Sequence, residues 1–81
     1  MTSSAERRLR EILAKVLLLD DSEINDELSR DDVEEWDSLA HLMLINEVES
    51  AFQVTFGDED ILSIRTVGDL KRVLKRLGVN I

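Results

Sequence analysis

Leu9, Ile12, Leu13, Val16 and Leu17 recur at the i, i+3, i+4, i+7, i+8 spacing that lines up apolar side chains on one face of an α-helix. The pattern returns twice. Leu44, Ile45, Val48 and Phe52 make a second face, and Val67, Leu70, Val73, Leu74 and Leu77 a third. Three one-sided stripes in 81 residues must bury against one another. The fold class this predicts is all-α, a small bundle of three main helices and one short helix. The core is modest at this length, with roughly two thirds of the unfolded surface buried. A hydrophobic fraction of 43% is nevertheless too high for a disordered segment.

Local signals set the boundaries. The first helix is expected over about residues 5–18, with Ser3 and Glu6 at capping-box spacing. The second should span 38–52, capped by Asp37 or Ser38. Residues 58–63 can make a turn or two, with Ile61, Leu62 and Ile64 pointing inward. The last helix, 66–77, opens on Thr66 and Asp69 and stops at Gly78, leaving Lys71, Arg72, Lys75 and Arg76 in water. Residues 20–37 hold no period and read as a long loop anchored by Ile24, Leu28 and Val33. Loops of this length in compact domains are often functional. There is no repeat and no proline, and residues 1–81 read as one free-standing domain.

The composition removes several kinds of chemistry. Without cysteine there is no disulfide and no zinc-thiolate site, so any thiol must come from outside the chain. No secretory apolar block and no membrane-length apolar run is present, which predicts a cytoplasmic protein. The net charge of −8 is unevenly placed: residues 16–64 hold fifteen of the eighteen acids and a single base, Arg30. Such a field repels nucleic acid and anionic lipid and steers basic protein surfaces toward itself. The acids at 20–27 and 58–60 lack the ligand pattern of an EF-hand, so no dedicated metal site is expected.

Trp36-Asp37-Ser38-Leu39 stands where the acidic loop becomes an apolar helix. That helix carries a second stripe, Leu39, Leu42, Met43 and Asn46, centred roughly 150° round from its core face. Ser38 can be a plain cap. It can equally be a covalent handle, since first-turn N–H groups and the helix dipole favour an attached phosphate. The stripe would then give partners an apolar grip beside the attachment point. Trp36 is placed to pack locally against His41 and, second, to touch a partner. Ser38 and His41 share a helix face, but a nucleophile also needs an orienting group, an oxyanion site and a cleft that so small a bundle rarely supplies. The rival to a handle is an unmodified acidic module that binds a basic partner.

Asp37-Ser38-Leu39 opening an apolar helix after a long acidic loop resembles the acyl carrier protein family. The likeness extends over nearly the whole chain, through Phe52, the 58–64 turn and Thr66-Val67-Gly68-Asp69-Leu70. It implies that Ser38 receives 4′-phosphopantetheine from coenzyme A by the action of a separate phosphopantetheinyl transferase, so that the chain is a substrate and not an enzyme. The arm's thiol would hold acyl groups as thioesters. The resemblance also implies that Asp37 helps the transferase dock and that Leu39 and Leu42 meet partners, with Met43 and Asn46 on the same side. An acyl-loading ligase or synthase and downstream acyl-processing enzymes would be the other partners of a monomeric carrier. Two departures stand out. Glu35 and Trp36 occupy a stretch where many fatty-acid carriers have a glycine, and the recognition helix has few acids, Glu47 and Glu49. These resemble stand-alone carriers of specialised pathways.

Overall fold

Each apolar stripe lies against the others in the computed structural model, which describes residues 4–81. Four helices follow in order: α1 (Ser4–Leu17), α2 (Ser38–Phe52), α3 (Asp58–Ser63) and α4 (Val67–Arg76). Leu9, Leu13 and Leu17 of α1, Leu44 and Val48 of α2, and Leu70 and Leu74 of α4 are fully buried, joined by Ile64 from the α3–α4 connection. Val16, Phe52, Val73 and Leu77 sit partly buried at the edge of this core. The Ser3 half of the expected first capping box lies outside the described residues. The box at α4 is present: Thr66 Oγ1 accepts from the Asp69 N–H at 3.0 Å while Asp69 Oδ2 accepts from the Thr66 N–H at 3.3 Å.

The three long helices stop in the same way. A residue with positive φ lies just past each: Leu18 at 57°, Gln53 at 55° and, after Leu77, Gly78 at 97°. The N–H one position later then donates back to the carbonyl five residues earlier, Leu19 to Ala14, Val54 to Glu49 and Val79 to Leu74. Only the third stop uses glycine, which adopts this conformation without cost. The expected end of α1 at 18 is one residue late for this reason.

The long loop is more ordered than its lack of period suggests. It contains two 3₁₀ turns, Asp21–Glu23 and Arg30–Asp32. Ile24 and Val33 are buried, and Leu28 is partly so. Backbone bonds stitch it to the start of α4: Arg30 N–H to Arg65 O, Val67 N–H to Leu28 O and Gly68 N–H to Asp26 O. A Cβ at Gly68 would lie 3.1 Å from the Asp26 carbonyl oxygen, so this close approach favours glycine.

Two expectations are corrected here. Lys71 does not face water: its ammonium bridges Glu6 of α1 at 2.6 Å and Asp26 of the loop at 2.7 Å, with 15% of the side chain exposed. Leu62 does not point inward either and is 76% exposed. In a six-residue helix the inward positions are taken by its flanks, Phe56 and Ile64, with Ile61 partly buried.

Candidate functional site

The loop delivers Asp37 in an extended conformation, φ −87° and ψ −173°, and its Oδ1 accepts from the Ala40 N–H at 2.8 Å. Asp37 is therefore the cap of α2. Ser38 is the first helical residue, exposed, and its hydroxyl makes no hydrogen bond among the described residues. Of the two caps the sequence allowed, the structure selects the carboxylate, and the serine oxygen is uncommitted.

Trp36, just before the cap, is 2% exposed. Its indole N–H donates to His41 Nδ1 at 2.9 Å, and the rings tilt by 30° at a centroid separation of 6.2 Å. The local packing expected of Trp36 is present. A side chain so deeply placed cannot double as a partner contact, so that assignment is withdrawn. His41 is only 4% exposed, and its Nε2 lies 2.8 Å from the Ile61 carbonyl. An indole N–H can only donate and a carbonyl can only accept. Nδ1 must therefore be the acceptor and Nε2 the N–H of a neutral imidazole. Burial pushes the His41 pKa below its ordinary value, with Arg30 acting in the same direction and the Ile61 bond opposing both. Both ring nitrogens are occupied, and neither can take a proton from Ser38.

Leu39, Leu42 and Met43 are 69, 53 and 51% exposed, and Asn46 is exposed beside them. They face away from Ala40, His41, Leu44, Ile45 and Val48, the buried side of α2. The helix's two carboxylates turn elsewhere. Glu49 accepts from the Phe56 N–H at 2.7 Å, and Glu47 pairs with Lys15 of α1 at 3.1 Å. The stripe carries no charge of its own, and a shallow groove at its Met43–Asn46 end is bounded by Met43, Asn46, Glu47 and Ser50. Exposed acids lie on the neighbouring segments: Asp31, Asp32, Glu34 and Glu35 on the loop before α2, and Asp58 and Glu59 on α3.

Sequence patterning drew attention to Ser38 and the stripe and set Trp36 against His41, but missed the hydrogen bond between His41 and Ile61, because a contact between residues 41 and 61 has no local signature. Among the described residues, no three potential metal ligands converge. No described helix is long and apolar enough to cross a membrane. What the site presents is an exposed primary alcohol at a helix start, next to an exposed apolar stripe.

The family model described as "Phosphopantetheine attachment site" matches residues 7–74. A relative in Mycolicibacterium aurum, a meromycolate extension acyl carrier protein, is 33% identical over 69 residues, covering 85% of this chain and 71% of that protein.

Proposed function

Because this chain belongs to the acyl carrier protein family, we propose that Ser38 is the residue to which its 4′-phosphopantetheine arm is joined. The protein is a carrier and not a catalyst, and its role involves a phosphopantetheinyl transferase and biosynthetic enzymes. The observation that supports Ser38 most is its exposed, uncommitted hydroxyl, with Asp37 performing the capping that would otherwise occupy it. The residues fit the group. Ser38 is exposed, and a helix start favours a phosphate through its dipole and those first-turn N–H groups that Asp37 does not hold. Attachment forms an ester bond between Ser38 Oγ and the phosphopantetheine phosphorus and breaks the pyrophosphate bond of coenzyme A. Adenosine bisphosphate would leave, and Ser38 Oγ would give up its hydroxyl proton. When attached, the arm supplies the thiol that this cysteine-free chain lacks and carries acyl groups as thioesters.

Leu39, Leu42, Met43 and Asn46 form the docking face in this reading, and Asp37 holds the helix start in register. The acids around the face steer basic partners, while the face itself binds by apolar contact. Residues 1–81 act as one monomeric carrier unit in the cytoplasm, loaded by a ligase or synthase and serving acyl-processing enzymes of a specialised pathway. A relative named for meromycolate extension agrees with such a setting.

Intact mass tests the attachment. Incubation with a broad-specificity transferase, coenzyme A and magnesium should add one phosphopantetheine to the wild type and none to Ser38→Ala. Wild-type mass that stays constant while a control carrier is modified would refute the assignment and leave an unmodified interaction module.

A further inference from the structure

One imidazole touches both structural elements that flank the start of α2. Its Nδ1 holds the indole of Trp36, the last buried residue of the acidic loop before Asp37 and Ser38. Its Nε2 reaches the carbonyl of Ile61 in α3. α3 has only six residues, too short to be stable alone, and Ile61 belongs to its last turn, where carbonyls lack helical partners. His41 therefore completes the end of α3 as well as anchoring the loop. We propose that His41 is a positioning residue: by bridging Trp36 and Ile61 it clamps the loop and α3 to the Ser38 end of α2, and so sets how Ser38 is presented to the enzyme that loads it. The proposal rests on the reading of Ser38 as the loaded residue.

The clamp works in one protonation state. A second proton on the ring would place an N–H on Nδ1 facing the N–H of Trp36, two donors with nothing to accept. One of the two bonds must then break. Few charges bear on this. Arg30, in the loop, opposes protonation of the ring. On α2, the Asp37 carboxylate is held by the Ala40 N–H. On α3, Asp60 pairs with Arg76, and Asp58 and Glu59 are exposed. The residues that α1 and α4 bury are all apolar. The imidazole thus meets no carboxylate that would stabilise its charged form, and the clamp should hold at neutral pH and slip as pH falls below the ordinary histidine range.

Two substitutions separate the bonds. His41→Asn places an amide near the Nδ1 position and can keep Trp36; His41→Gln reaches to the Nε2 position and can keep Ile61. Neither titrates. The loading kcat/KM of each variant, divided by that of wild type at the same pH, cancels the transferase's own pH profile. At pH 8 the ratio should fall by about fivefold, the worth of one net hydrogen bond. It should climb toward one as pH drops and wild type loses its own clamp. A ratio that stays constant across the range would overturn the proposal. Trp36 is the only tryptophan, so its indole N–H resonance in the wild type reads the clamp directly and needs no variant to fold. That resonance should shift together with ionisation of His41, and His41 should show the Nε2–H tautomer at neutral pH. An Nδ1–H tautomer, or ionisation of His41 without response from Trp36, would refute the clamp. If wild type is not loaded at all, the Ser38 reading fails, and the resonance measurement still judges the clamp.

Discussion

Replacing Asp37 with alanine separates the capping role from the attachment role at adjacent residues. The substitution removes the acceptor of the Ala40 N–H, a bond of 2.8 Å, and leaves a first-turn donor without its partner. An N-cap lost to alanine costs about 1 kcal/mol. α2 has no other acid in its first turn, so the negative charge facing the helix dipole goes too, adding about 0.5 kcal/mol. A total of about 1.5 kcal/mol in a domain of this size lowers Tm by roughly 6–12 °C. Ser38→Ala removes an exposed hydroxyl with no hydrogen bond and should stay within about 0.5 kcal/mol of wild type. Asp37→Asn, which keeps the acceptor and loses the charge, should fall between them. Thermal and urea unfolding followed by far-ultraviolet circular dichroism, at neutral pH and low salt, measures all three. If Ser38→Ala proves the most damaging, or Asp37→Ala melts with wild type, the cap is misplaced and the serine oxygen is not free.

Three further outcomes follow from other parts of the fold. Leu18 is 78% exposed with φ 57°, so Leu18→Gly should raise stability by about 0.5 kcal/mol, the relief of left-handed strain exceeding the entropy added to the unfolded chain; a lower urea midpoint would contradict this. Leu42→Ser and Met43→Ser should leave unfolding within about 0.5 kcal/mol of wild type yet raise the transferase KM several-fold with little change in its salt dependence, whereas unchanged KM values would remove the stripe from the docking face. Asp21, Asp60 and Asp69 are held below the ordinary carboxylate range, by the Arg10 side chain, the Arg76 side chain and the Arg65 N–H respectively. Their folded pKa values lie under the unfolded ones. The stability they contribute is therefore complete above the ordinary range and is lost as pH falls below about 4 through their lowered values. Asp69→Asn should flatten part of that acid loss, and urea midpoints running parallel to wild type from pH 5 to pH 2 would refute it.

Helices were legible because their signals are local. The stripe of α1, the Thr66–Asp69 box and Gly78 each concern residues within about one or two turns of one another. The prominence of Ser38 was also legible, since a loop rich in acid meets an apolar helix there. Lys71 was misread for the complementary reason: its partners, Glu6 and Asp26, are remote in sequence, and helical periodicity alone put it on the wet side. Leu62 was misread because a six-residue helix is too short for period to outweigh the pull of its flanks.

Periodicity, charge and the absence of cysteine were enough by themselves to determine an acidic helical bundle with one notable serine at the start of its second main helix. Which of Asp37 and Ser38 caps that helix depends on which of them is still extended when the helix begins, and only the packed chain answers it. The burial of Trp36, the tautomer of His41 and the grip on α3 likewise depend on groups brought together from residues 36, 41 and 61. The bond from His41 to Ile61 joins groups twenty residues apart and exists only once the core has closed, whereas the Asp37 cap that leaves the serine oxygen uncommitted is local.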